Sequence, residues 1–199
     1  MLLCQRRNAA SPELEGKPLA VGTVIQKQGH GIVLTANYIA KKCGDKNQEW
    51  HLAGKTGLSG NHFVPPRMDL YLRFSSMARE IYSEYTDIIE PYGIDEGWLD
   101  VTESSSIKGD GMKIAQEISD RIKYELGITV SIGISWNKIF AKLGSDYKKP
   151  DAITQFHRGN YKEIVWGASS VRFTVCWQAD KQEIAKTGDP YHWSAGTDR

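Results

Sequence analysis

The sequence is poor in cysteine and histidine. Its 199 residues include only 3 cysteines and 5 histidines, and the cysteines (Cys4, Cys43 and Cys176) are far apart. An odd number of widely spaced cysteines forms neither a disulfide framework nor a CxxC metal pair. No HxxxH or HxH spacing occurs, which argues against a zinc site. We therefore expect free thiols in a reducing cytoplasm.

Long apolar runs and an excess of one charge are also missing. No apolar segment approaches the ~20 residues that span a bilayer, and the start MLLCQRRNAAS lacks the apolar core of a signal peptide. No membrane partner is expected. The balance of 25 basic and 24 acidic residues leaves a net charge of +1, which excludes a polycation or a polyacidic tail. A local basic face for nucleic acid stays open.

What is present is an alternation of strand and helix patterns. Residues 16–22 and 31–36 predict strands and 36–44 a short helix ending at Gly44. Apolar residues every three or four positions then predict a long helix over 67–90, which Pro91 ends. The apolar stripe consists of Leu70, Phe74, Met77, Ile81, Tyr85 and Ile88.

The second half of the pattern suggests a fold class. Strands are predicted at 91–94, 97–101 and 128–134, and helices at 111–126 and 136–147. The order helix, strand, strand, helix, strand predicts an α+β fold, a ferredoxin-like split βαβ unit whose first strand is missing or altered. Two helices should pack on one face of an antiparallel sheet. The residues expected in its core are Ile81, Ile114, Ile118, Ile122, Val130 and Ile132.

Two adjacent carboxylates, Asp95 and Glu96, separate two of the predicted strands. Carboxylates at a strand end can bind Mg²⁺, which takes oxygen ligands, and two such ions clamp the attacking and leaving oxygens of phosphoryl transfer. A solvated acidic turn is the alternative interpretation. Asp100 is close in sequence, but the strand alternation leaves its direction open.

Two groups of cations could meet a phosphate chain. Lys149 follows a predicted helix that carries Lys138 and Lys142, and lysines neutralise phosphates as point charges, although a basic helix end also matches the helix dipole. Thr35, Tyr38 and Lys41 are spaced by three at a strand-to-helix junction. A hydroxyl, an aromatic ring and a cation there could contact a triphosphate.

Taken together, these segments resemble Y-family translesion DNA polymerases of the polymerase IV and UmuC group. The resemblance rests on PELEGKPLAVG (12–22), VPPRMDLYLRFSSMAREIYSEYT (64–86), PYGIDEGWLDVT (91–102) and VSIGISWNKIFAKLGSDYKKPDAIT (130–154). It covers roughly residues 12–44 and 63–167. It implies a partial fingers region at 12–62 and a palm at 63–167.

The resemblance also implies roles. Asp95 and Glu96 match the family's catalytic, metal-binding carboxylates, with Mg²⁺ as the cofactor of a two-metal site that is incomplete here. Thr35, Tyr38 and Lys41 match the residues that hold the incoming triphosphate, although Lys41 replaces an arginine and loses its bidentate fork. Lys149 matches the lysine of the KPD motif. The implied partners are primer–template DNA and deoxynucleoside triphosphates, with a sliding clamp only in a full-length protein.

Three stretches depart from the family pattern: 1–11, about 45–62 and 168–199. The family's first palm strand, of the type VDMDCFYASVE, contains the third metal ligand and is not found. Back-translation of residues 1–11 shifted by one base can spell CFYASVE. In the same shifted frame, 52–62 can spell a family-like fingers helix and 168–198 a thumb entry. We interpret the stretches as out-of-frame remnants, and expect the chain alone to be inactive.

Two other functions are alternatives to this one. A nucleotide cyclase or GGDEF-like palm also uses strand-end carboxylates, but its hairpin should read GG[DE][DE]F where this chain reads GIDEGW. A non-enzymatic DNA- or partner-binding module derived from a polymerase palm is the remaining alternative. The net charge of +1 argues against strong autonomous DNA binding, which needs several phosphate contacts.

Overall fold

The computed structural model describes residues 14–25, 30–43, 62–161 and 163. The departing stretches 1–11 and 168–199, and all of 45–62 except its last residue, lie outside them. The chain divides into two compact units. The first comprises residues 1–80 and 90–97, and the second comprises 81–89 and 98–199.

A three-stranded sheet organises the first unit. Strand β1 (Leu19–Ile25) pairs antiparallel with β2 (His30–Ala36) and parallel with β3 (His62–Val64), in the order β2-β1-β3. Helix α1 (Tyr38–Cys43) follows β2 directly. Both strands and the short helix were predicted, whereas β3 was not, because three residues are too few to show a period. The small residues Ala20, Ala36 and Ala40 form a buried cluster.

Helix α2 (Met68–Ser83) is shorter than its apolar stripe predicts. Ile81 and Tyr85 are buried as expected, whereas Ile88 is 59% exposed. The helix was predicted to continue to residue 90 but ends at Ser83, so the assignment beyond that residue is wrong. The last turn tightens where the Tyr85 N–H bonds to the Tyr82 carbonyl. The Thr86 hydroxyl then donates to the Asp100 carbonyl and accepts from the Ile88 N–H. These bonds redirect the chain into the next strand.

Strands β4 (Ile89–Tyr92) and β5 (Glu96–Leu99) pair around a turn. Strands were predicted at 91–94 and 97–101, so both begin earlier than expected. Pro91 therefore lies inside β4, in an exposed position. Proline has no N–H to donate and is therefore tolerated in an edge strand, on the side that faces solvent.

Helix α4 (Gly111–Leu126) dominates the second unit and has the bounds that the sequence predicts. Asp110 caps its start by accepting from the Lys113 N–H, and Gly127 ends it in the left-handed conformation. Its apolar face, including Ile114, Ile118 and Ile122, is buried. A single helical turn, α3 (Ser105–Lys108), precedes it.

A parallel strand pair with a helix against it completes the second unit. Strand β6 (Ile132–Ile134) pairs parallel with β7 (Ile153–Gln155), and α5 (Lys138–Tyr147) connects them. The strand predicted over 128–134 is shorter, and Val130 and Ile132 are only half-buried, so those two core assignments are wrong. The pairing is parallel rather than antiparallel because a helix links the two strands. Mixed helix and strand content is confirmed. The predicted single antiparallel sheet is wrong for the described residues, where β4–β5 and β6–β7 form two separate sheets.

Candidate active site

Thr35 lies at an irregular point of the first sheet. It pairs with Val21, but the next pair is Gly22 with Val33, so Leu34 is an extra residue in β2. A bulge of this kind bends the strand and re-aims the side chains next to it. Leu34 is 51% exposed, whereas Thr35 is half-buried. The position of the Thr35 hydroxyl therefore depends on a bulge that the sequence pattern does not reveal.

Tyr38 and Lys41 lie on the helix that follows. Tyr38 is the first residue of α1 and is half-buried, and Lys41 is exposed one turn later. The Lys41 Nζ atom lies 5.8 Å from the centroid of the Tyr38 ring, within the range of a cation–π contact. The two side chains thus share one face of the helix, as their spacing predicts.

Asn37, between Thr35 and Tyr38, was not singled out from the sequence. It is buried, and its side chain accepts a hydrogen bond from the Ala40 N–H at 2.8 Å. This is the geometry of a helix N-cap. The predicted helix over 36–44 includes Asn37, so the prediction began the helix two residues too early. Asparagine favours the N-cap position, and this is the signal that could have placed the start at Tyr38.

Asp95 and Glu96 lie at the β4–β5 hairpin. Asp95 is exposed in the turn, and Glu96 is the first residue of β5 and half-buried. Gly93 takes a positive φ of 68° in that turn, and its carbonyl accepts a hydrogen bond of 2.8 Å from Arg79 on α2. The turn that presents the carboxylates is therefore anchored to the helix that precedes the hairpin.

Asp100 has a local structural role. One of its carboxylate oxygens accepts from both the Thr102 hydroxyl at 2.6 Å and the Thr102 N–H at 3.0 Å. These bonds stabilise the charged form and lower the pKa of Asp100 below its ordinary value. The strand alternation left the direction of the Asp100 side chain open. In the structure the side chain turns toward Thr102 in an Asx-type turn.

Lys149 follows α5 in the second unit and makes an ion pair. Its Nζ atom lies 2.5 Å from a carboxylate oxygen of Asp146, and Lys142 lies 3.6 Å from the other oxygen. All three side chains are partly exposed, so the pairs are individually weak. The two cations predicted near this helix end thus share one carboxylate.

Five of the six predicted site residues belong to the first unit: Thr35, Tyr38, Lys41, Asp95 and Glu96. Lys149 belongs to the second. That all six converge on one surface remains a prediction. Over the described ranges 14–25, 30–43 and 62–161, no three His, Cys, Asp or Glu side chains gather in a way that could hold a metal ion. Among the same residues, no helix is both long and apolar enough to cross a membrane.

Comparison with known proteins gives a consistent family match. Residues 2–146 match the impB/mucB/samB family. Over 156 residues the chain is 53% identical to DNA polymerase IV of Acetivibrio thermocellus, covering 78% of this chain and 39% of that protein. DNA polymerase IV of Clostridium perfringens is 38% identical over 178 residues, covering 89% and 49%. The chain thus spans 39% to 49% of the length of these relatives.

Solved structures give the same result. The insertion ternary complex of Dbh DNA polymerase superposes with a TM-score of 0.72 at 26% identity, covering 94% of this chain and 55% of that one. A Y-family DNA polymerase chimera of Dbh and Dpo4 gives 0.69 at 29% identity, covering 82% and 48%. DinB from Sulfolobus solfataricus gives 0.67 at 26% identity, covering 92% and 55%.

Proposed function

The chain belongs to the impB/mucB/samB family of Y-family polymerases, and from that premise we propose that it contains the palm and part of the fingers of a translesion DNA polymerase. The reaction is template-directed transfer of a nucleotide from a deoxynucleoside triphosphate to a primer. The observation that supports it best is the junction of β2 and α1, where Thr35, Tyr38 and Lys41 lie within seven residues.

We propose that this junction binds the triphosphate. The Thr35 hydroxyl and the Tyr38 phenol can donate to phosphate oxygens, and Lys41 supplies a positive charge. The contact of Lys41 with the Tyr38 ring, 5.8 Å from Nζ to the centroid, restricts the ammonium before a ligand arrives. Lys149 stays a proposed phosphate ligand on the family resemblance alone, since it lies in the second unit and pairs with Asp146.

Asp95 and Glu96 are the proposed ligands of Mg²⁺. Their oxygens suit a hard divalent cation, and adjacent placement at a turn suits one ion. Two ions need more carboxylates than these two, and the described residues offer no third neighbour. A bound Mg²⁺ supplies charge neutralisation for the triphosphate. The residues themselves keep a negative field at the hairpin, which repels a phosphate that arrives without a cation.

The finer architecture is part of the same proposal. We assign β4, β5, β6 and the helices α2 and α4 to a ferredoxin-like split βαβ palm, supported by their order along the chain. The fingers region is assigned to residues 12–62 and the palm to 63–167. Primer–template DNA is the second ligand. Contact with a sliding clamp is assigned to the longer polymerase, and the compartment to the cytoplasm.

The experiment is a titration of the chain with a deoxynucleoside triphosphate in Mg²⁺. Lys41→Ala should weaken binding about three- to tenfold, since a hydrogen bond to a charged group contributes ~1.5–3 kcal/mol at best and Lys41 is exposed. Lys41→Arg should bind at least as tightly because guanidinium engages phosphate through two bonds.

Lys113→Ala is the matched control, since Lys113 is an exposed lysine on α4 in the second unit. Its triphosphate affinity should equal that of the unsubstituted chain. Binding of DNA without any binding of triphosphate, unchanged by Lys41→Ala, would refute the polymerase assignment and favour a DNA-binding module.

A further inference from the structure

Asn37 uses all of its hydrogen-bonding groups between β1 and α1. Its side-chain oxygen accepts from the Leu19 N–H at 3.1 Å and the Ala40 N–H at 2.8 Å, and its amide nitrogen donates to the Lys17 carbonyl at 2.8 Å. Its own N–H donates to the Leu19 carbonyl at 2.9 Å, and its carbonyl accepts from the Lys41 N–H at 3.0 Å. The partners also define the orientation of the amide, since two N–H donors face the oxygen and a carbonyl faces the nitrogen.

These bonds exceed what a helix cap requires. Asp110 caps the much longer α4 with one side-chain bond, to the Lys113 N–H. Asn37 makes the equivalent bond to Ala40 and two further bonds to the chain at Lys17 and Leu19. A single cap bond satisfies one free N–H at a helix start. The two additional bonds instead join the helix start to strand β1.

The connection matters because α1 has only six residues. A helix that short is not stable in water by itself, so its position depends on what attaches it to the sheet. Asn37 is also 8% exposed, follows the buried Ala36 in the chain and accepts from the N–H of the buried Ala40. Tyr38 follows Asn37 directly as the first residue of α1, and its side chain lies on the same face of the helix as Lys41.

We propose that Asn37 is the positioning residue of the triphosphate site: it holds the start of α1 against β1, so that Tyr38 and Lys41 face the phosphates together. This inference rests on the proposed function. It assigns no contact between Asn37 and the ligand, because the side chain is buried and already satisfied.

The test compares the affinity of the chain for dATP with its affinity for dAMP in Mg²⁺, since only the triphosphate reaches all the proposed phosphate contacts. Asn37→Ala should lower the ratio of the two affinities about tenfold, which corresponds to ~1.4 kcal/mol. Asn37→Gly should do the same, and it is the variant less at risk of failing to fold, because glycine is accepted at a helix cap better than alanine. Asn37→Asp keeps the acceptor for Leu19 and Ala40 but sets a carboxylate oxygen against the Lys17 carbonyl, so it should recover only part of the ratio.

Asp110→Ala is the control, since it removes a cap bond from a helix with no proposed ligand contact. It should lower stability and leave the ratio unchanged. A folded Asn37→Ala or Asn37→Gly with an unchanged ratio, or an equal loss in Asp110→Ala, would overturn the positioning role alone. If the unsubstituted chain shows no preference for dATP over dAMP, the proposed function fails and the inference falls with it.

Discussion

Replacing Gly133 by alanine tests how β6 and α5 pack in the second unit. Gly133 lies in β6, and a Cβ atom added to it would overlap the carbonyl oxygen of Ala141 and lie 2.5 Å from the amide nitrogen of Ser145. Both are backbone atoms of α5. On the facing side, a Cβ on Gly144 would lie 3.1 Å from the Gly133 Cα atom. The two glycines therefore let helix and strand meet backbone to backbone.

The cost of Gly133→Ala follows from what must move. Contact with a flexible side chain could be relieved by a rotamer change, but here the whole helix must retreat by more than an ångström. Overpacking of a core costs ~1–3 kcal/mol, occasionally more, and backbone contact places this case at about 3 kcal/mol or above. For a chain of this size each kcal/mol lowers Tm by ~2–4 °C. We therefore expect a drop of about 6–12 °C.

The assay is thermal unfolding followed by circular dichroism, with Gly159→Ala as the matched control. A Cβ on Gly159 would meet only the His157 ring, at 3.2 Å, in an exposed loop, so that variant should unfold within about 2 °C of the unsubstituted chain. If Gly133→Ala unfolded at the same temperature as Gly159→Ala, the close packing of α5 on β6 would be refuted.

Three further predictions follow from the ion pairs and the carboxylates. Arg121 donates to Glu84 through two bonds, at 2.6 and 2.9 Å, and lowers the pKa of Glu84 below its ordinary 4.5. The stability that this ion pair contributes is therefore present above pH 4.5 and is lost as the pH falls through the lowered pKa of Glu84. In urea unfolding, the free energy of unfolding of Glu84→Gln should fall less steeply below pH 4.5 than that of the unsubstituted chain. An unchanged pH dependence would contradict a stabilising ion pair. Asp146→Asn should release Lys149 and raise triphosphate affinity up to about fivefold, the worth of an exposed ion pair; weaker binding would argue against Lys149 in the site. Primer extension by the 199-residue chain should stay at background, because two carboxylates cannot set the geometry of two metal ions, and template-dependent extension lost on Glu96→Ala would show the opposite.

The bounds of a helix were predicted correctly where the residues that begin and end it are part of the helix's own sequence. Helix α4 was predicted with its exact bounds because Asp110, the apolar face and Gly127 are all local features. Helix α2 was overextended because its apolar stripe continues to Ile88, whereas bonds of Thr86 to distant and local backbone end it at Ser83. The spacing of apolar residues carries no information about a hydrogen bond to another segment that competes with the helix.

The candidate site divides in the same way. Residue types and spacing pointed to Thr35, Tyr38, Lys41, Asp95, Glu96 and Lys149 as candidates, and the family resemblance gave them their implied roles. The β-bulge at Leu34, the bonds of Asn37 to Lys17 and Leu19, and the ion pair of Lys149 with Asp146 came only from the structure.

The sequence by itself therefore determined the family, the order of most helices and strands, and which residues are candidates for the site. These depend on side-chain type and on spacing within a few turns, which the chain states directly. Only the tertiary structure decided the parallel pairing of β6 with β7, the packing of Gly133 against α5, and the attachment of α1 to β1. Each depends on contacts between residues far apart in the chain, or on backbone geometry at single positions, and neither produces a repeating pattern in one sequence.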